Sequence, residues 1–543
     1  FFFCSRAAFA MSAIGAIIDL EVPEERQIHH TELREGVGKA ASGAEEEEEE
    51  QEDEDVQRMM LLASIISTME LTSPEIMRVT SAGFALRRCG RTLRGGPYTD
   101  DFYEMSFQTD RIAHFWSHSW HGNKLAKVLM LLVRYNGWPA SLAGTFCAAV
   151  TSVWIQLCAP DCSLEIELKH NTYELRVLLI GFIATCATFL LWQSRYLVFI
   201  DRVCIHQRNK RLKSEAVLNV AAFLRRSDSL LICWDATYVL RLWCVLEVAA
   251  FIKSKGCSDN IEMKPVTWGP GIIAGFLAVF CGMIARYVSN AAFVFDLEVD
   301  RTVLDWALTV LPVSALVFSS AAGLAWLGGA VRNHFRTVES VRKQLRSFRF
   351  ERDTSCHCCE VNHVSPATGA ALPCDRRIIS ECIKHWFGST AEFDQLVQNE
   401  VAAVFDRSLG SQMLPYTWVL GSSLPLLWTG LSNAAYETRV WNNGRAAVDG
   451  IYWFGWWLIS APLICFIWLS FVRRFQARLV QTWADRLLTL GCSLMLGVVI
   501  MAVQTYDMLC VLLLGFTVWQ SCLFFGTLFV LHCLTRYLGK PQF

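Results

Sequence analysis

The chain has 543 residues, of which 53% are apolar and 18% are charged, with 21 cysteines and a formal net charge of −2. A soluble globular domain carries about 25% charged residues, so this composition excludes a chain built only of ordinary soluble domains. The near-neutral balance says little by itself, and no nucleic-acid partner is expected.

The N-terminal region, residues 1–109, is expected to be largely disordered, because the run at 45–55 (EEEEEEQEDED) cannot bury surface. Only residues 56–70 have the pattern of an amphipathic helix. Next, Ile112 to Trp116 reads as a short buried strand ending at Ser117-His118-Ser119. Leu125, Val128, Leu129, Leu132 and Val133 then recur at helical spacing, with Asn136-Gly137 as the expected helix stop.

Eight apolar runs approach or exceed the ~20 residues that cross a bilayer: about 138–158, 175–193, 270–290, 303–330, 414–433, 450–472, 487–504 and 508–534. Between the second and third lie a strand at Tyr196–Ile200, a helix marked by Val217, Val220, Ala221 and Leu224, and a strand at Leu230–Trp234. A helix from about Leu240 to Lys253 and a strand near Ile261–Val266 follow. Alternating strands and helices predict a parallel sheet covered on both faces.

Almost sixty residues separate the first helix of this sheet from its second strand, whereas such loops usually take 2–6. The expectation is a sheet domain in two parts, 110–137 and 194–268, with a transmembrane hairpin (138–193) inserted between them. A second hairpin (269–330), a Cys/His-rich helical segment (331–413) and a four-span region (414–543) complete the chain.

The connectors after the fourth and sixth runs are basic (Arg332 to Arg352; Arg473 to Arg486), and the one after the third is acidic (Asp296, Glu298, Asp300). The positive-inside bias then places the sheet domain, the Cys/His-rich segment and both termini in the cytosol. The membrane part shows no buried charged series, Asp507 being expected in a tight outer turn.

Phe115-Trp116-Ser117-His118-Ser119 resembles the opening strand of TIR (Toll/interleukin-receptor) domains. Val198-Phe199-Ile200-Asp201 resembles their second strand, and Trp243-Cys244-Val245-Leu246-Glu247 the start of their third helix. Tyr238 falls where plant members carry a tyrosine, and Phe199 to Gln207 is also similar to a block of fungal heterokaryon-incompatibility domains. The inserted hairpin, the lack of an obvious fifth strand and His206-Gln207 depart from the pattern. The resemblance implies a flavodoxin-like parallel sheet, interrupted by a membrane hairpin, in a membrane α-helical protein of about eight spans.

Sheets of this kind bind ligands at the carboxyl ends of their strands. Those ends hold Ser117, His118, Asp201 and Tyr238 as candidate substrate-binding residues. Glu247 and Trp243 share a helix face one turn apart, and a carboxylate beside an aromatic plate suits glycosidic cleavage. The resemblance gives Glu247 the role of the catalytic glutamate that cleaves NAD in enzymatic TIR domains. Many TIR domains are instead non-enzymatic and self-assemble, and Glu247 is then only an acid in the first turns of a helix. The basic strip Arg202 to Lys213 is expected to be ordinary cytosolic surface.

Cys356, Cys358, Cys359, His363, Cys374, Cys382 and His385 cluster within about thirty residues. Their spacings are compatible with one tetrahedral zinc site, the alternative being a reduced Cys-rich loop. The functional expectation is membrane-anchored signalling or sensing, with the bilayer and further copies of the chain as partners. NAD cleavage through Glu247, or a channel or transporter with a regulatory cytosolic domain, are the alternatives.

Overall fold

A computed structural model of the chain describes residues 56–94, 102–120, 122–158, 165–166, 173–256, 258–293, 325–364, 369, 374–409, 414–440, 443–515 and 517–538. The acidic run, the fourth apolar run up to residue 324 and the acidic connector after the third run lie outside these residues. The chain divides into two compact units. One takes the described residues up to Val128 with Ser194–Pro265 and Val341–Ser408; the other takes Leu129–Gln193, Val266–Ser340 and Leu409 onward.

The first unit is built on a six-stranded sheet. Its strands are β1 (Arg78–Ser81), β2 (Phe107–Gln108), β3 (Ile112–His118), β6 (Leu197–Phe199), β7 (Ser227–Trp234) and β8 (Ile261–Pro265). A separate two-stranded hairpin, β4 (Glu165–Ile166) and β5 (Tyr173–Glu174), belongs to the second unit. The six strands lie in the order β2-β1-β6-β3-β7-β8. β6, β3, β7 and β8 are mutually parallel, and β1 adds antiparallel to β6. In chain order the parallel strands therefore stand second, first, third, fourth. β3 and β7 pair from Ile112↔Ser227 to His118↔Cys233, and their cores of Phe115, Trp116 and Leu230 to Trp234 are buried. That is the near-continuous apolar run of a strand covered on both faces.

The helices Lys210–Leu218, Val220–Arg225 and Leu242–Lys255 follow β6 and β7. Gly256 ends the last of them at φ +68, with its N–H returned to Ile252 O at 2.8 Å. This is the left-handed cap that glycine adopts without penalty.

Two expectations need correction. In the part of the region before residue 110 that is described, order extends beyond the one expected helix. A helix over 56–68 buries Leu62, Ala63 and Ile66, and β1 and β2 extend the sheet. Strands of four and two residues are too short to carry a readable alternation in sequence. In addition, Asn136-Gly137 does not stop a helix: one helix runs from Lys124 to Cys158. The Asn136 side chain donates to Phe189 O at 2.8 Å and to Trp192 O at 3.2 Å, so it tethers a neighbouring helix end rather than breaking its own.

Among the described residues, four helices are long and apolar enough to cross a membrane: Lys124–Leu157, Trp268–Tyr287, Ala446–Arg474 and Thr482–Leu514. Of the other expected runs, the fourth lies almost wholly outside the described residues, and the second, fifth and eighth form shorter described helices. Leu175–Leu191 and Val518–Leu534 are shorter apolar helices, and the fifth run divides into Tyr416–Ser422 and Leu424–Val440. Trp428, in the latter, is fully buried against Gly181, where an added Cβ would come 2.8 Å from the indole.

Asp507 is not in an outer turn. The Thr482–Leu514 helix runs straight through it and ends at Gly515, φ +68. Its buried carboxylate accepts from the Tyr452 hydroxyl and from Gln520 Nε2 at 2.9 Å. The side chain finds polar partners inside the helical packing, which removes the need for a turn at the surface. Arg332, expected in a basic connector, is 1% exposed. It donates to Phe475 O, Ala477 O, Asp485 O, the Asp485 carboxylate and Thr489 Oγ1.

Candidate functional site at the strand ends

Ser117 is near the carboxyl end of β3, Asp201 follows β6, and Tyr238 lies in the turn after β7. Trp243 and Glu247 project from the first turns of the Leu242–Lys255 helix. Ser117 joins this set: its hydroxyl donates to Glu247 Oε2 and lies 2.5 Å from the Tyr238 hydroxyl. Glu247, Trp243 and Asp201 line a small cavity together with Lys213, Phe115 and Phe199. Its volume is about 40 Å³, room for one or two waters.

The electrostatics follow from this enclosure. Burial pushes the Glu247 carboxyl up to about 8; the Ser117 hydrogen bond opposes the shift and the nearby charge of Asp201 adds to it. Burial also raises the Tyr238 phenol well above its ordinary value, helped by the neighbouring Cys244 and Glu247. Near neutral pH, Glu247 thus retains its proton, as a general acid must.

Five of the expected residues therefore share one place: Ser117, Asp201, Tyr238, Trp243 and Glu247. His118 does not join them. It is the next residue along β3 and so faces the opposite side of the sheet, where its ring lies 4.7 Å from that of Trp120. His206 caps its own loop, accepting from Arg208 N and Asn209 N at Nδ1.

The basic strip separates into two groups. Arg208, Lys210 and Arg211 are exposed, whereas Arg202 and Lys213 are buried, and Lys213 lines the cavity. Sequence reasoning treated Lys213 as surface. Its helical spacing with Val217 and Val220, which line the same cavity, was the available signal. Lys127 was also missed. It is buried and donates to Ser119 O, on the side of the strand ends where Thr237 donates to Asp235 at 2.5 Å and lies 2.8 Å from Ser119 Oγ. A lysine within the apolar window Leu125–Val133 was the signal there.

The seven Cys and His candidates also divide. Donor atoms of Cys358, Cys359, His363 and Cys374 all lie within 4.8 Å of one another, and Cys356 Sγ is 2.7 Å from Cys358 Sγ. Cys382 is buried elsewhere, its thiol on Ala63 O at 3.6 Å. His385 is exposed on the same helix as Cys382.

No family model matches the chain, and no curated protein or solved structure does either.

Proposed function

We propose that the chain is a multi-pass membrane protein that signals or senses through a cytosolic TIR-like α/β domain, with Glu247 as its functional carboxylate. The observation that carries this reading is the Ser117–Glu247–Tyr238 cluster at the carboxyl ends of parallel strands. The strand order second-first-third-fourth supports it, being the start of the flavodoxin-type order. The residues that assemble there are those through which the sequence resembles TIR domains. In this reading about eight spans anchor the chain, the first pair threads between the two parts of the sheet domain, and both termini are cytosolic.

A second reading, NAD cleavage, is favoured by one further observation: Trp243 and Glu247 line the same cavity. An aromatic plate and a carboxyl that keeps its proton near neutral pH suit a glycosidic bond. In that reading the ribose enters beside Trp243 and Glu247, where the cavity is small.

The test uses the full chain in lipid nanodiscs, dilute and clustered by a cross-linking antibody. NAD consumption that Glu247→Gln abolishes supports cleavage; none in either state removes that reading. Assembly that survives Glu247→Gln without NAD turnover supports signalling by association. A chain that neither assembles nor turns over NAD refutes both.

A further inference from the structure

We propose that Cys358, Cys359, His363 and Cys374 bind a zinc ion that clasps the Cys-rich segment onto the start of the Glu247 helix. Three thiolates and an imidazole form a closed, four-donor set of the kind that holds structural zinc. Zn–S bonds of ~2.3 Å and Zn–N bonds of ~2.0 Å in a tetrahedron put ligand atoms roughly 3.5–3.8 Å apart. The four donors here already lie within 4.8 Å of one another.

The backbone is folded to present them. A one-turn helix, His357–Glu360, carries Cys358 and Cys359. The chain then reverses through two consecutive left-handed residues, Asn362 (φ 53) and His363 (φ 58). His363 N bonds to Cys358 O at 2.7 Å and Asn362 N to Cys359 O at 3.2 Å. Asn and His are the side chains that tolerate this region best after glycine, yet holding two in succession costs energy that surrounding structure must supply. The result brings the His363 ring back onto the two cysteines. Cys374 arrives from the other side as the N-cap residue of the Asp375–Phe387 helix.

Both ends of this knuckle grip the same short stretch, more than a hundred residues earlier in the chain. Ser355, just before Cys356, donates its N–H to Leu240 O at 2.7 Å and accepts from Leu242 N at 3.4 Å. Asp375, just after Cys374, accepts from the Trp243 indole at 3.3 Å. Residues 240–243 lead directly into Glu247. A metal that fixes the knuckle therefore fixes where Trp243 and Glu247 stand. This inference rests on the donor geometry and holds whether or not the chain cleaves NAD.

The test measures metal in the full chain purified in detergent under reducing conditions, by mass spectrometry of its elements. One zinc per chain is expected, and exchange for cobalt should give the absorption of a tetrahedral thiolate site. Cys374→Ser and His363→Ala should lose the metal, while His385→Ala, exposed and outside the cluster, should keep it. Because those variants can misfold, a second measurement uses the wild-type chain. Removing zinc with a chelator should raise hydrogen exchange across residues 238–247, and restoring zinc should reverse it. A reduced chain that contains no zinc and takes up neither zinc nor cobalt would overturn the proposal, as would a Cys356–Cys358 disulfide in the native protein or exchange at 238–247 that ignores the chelator.

Discussion

Glu247→Gln should change how stability depends on pH. The native carboxyl keeps its proton up to about 8, against an ordinary value of 4.5. Between those limits the native state binds more protons than the unfolded chain. The stabilisation is therefore complete below about pH 4.5, falls as pH rises, and is exhausted once pH passes 8. The slope is at most ~1.4 kcal/mol per pH unit for one group. Glutamine has the same shape, can still accept from Ser117, and does not titrate. The wild-type chain and the variant should then melt alike near pH 5, with the variant melting progressively higher up to about pH 8. Intrinsic tryptophan fluorescence during heating in detergent reads this, and the difference between the two proteins cancels every other titrating group. A difference that stays constant from about pH 5 to 8 would show that Glu247 is not an enclosed, protonated carboxyl, and would remove the physical basis of its assigned role.

Arg332→Met should cost about 1–3 kcal/mol, because it leaves the buried carbonyls of Phe475 and Ala477 without the guanidinium that now satisfies them, while Asp485 keeps Arg336 and the Leu479 N–H; a melting temperature unchanged from wild type would refute this. Asp507→Leu should destabilise more than Asp507→Asn, since leucine leaves the Tyr452 hydroxyl and the Gln520 amide without an acceptor, at about 1–3 kcal/mol for each group. Equal thermal stability of the two variants would count against that pairing. Gly90→Ala should lose more than ~1 kcal/mol in a denaturation series, because Gly90 sits at φ +63 and its added Cβ would come 2.4 Å from Val128 Cγ2; a variant as stable as wild type would refute it.

Local patterns in the sequence determined the strands β3, β6, β7 and β8, the Leu242–Lys255 helix and the apolar character of the long helices. They also named Ser117, Asp201, Tyr238, Trp243 and Glu247, because strand ends and helix starts are set by residues adjacent in the chain. Other features depend on partners distant in the chain. β1 and β2 are too short to show a period and exist because β6 offers an unpaired edge. Asn136 and Asp507 read as breaks, yet each is held inside a helix by groups that only packing supplies. Lys213 read as surface charge and Arg332 as part of a basic connector, and both are buried, since a long cationic side chain reveals its burial only when its acceptors are in place. The same holds for the cysteines: spacing proposed seven donors, and only the folded chain could separate the four that converge from Cys382 and His385, which do not.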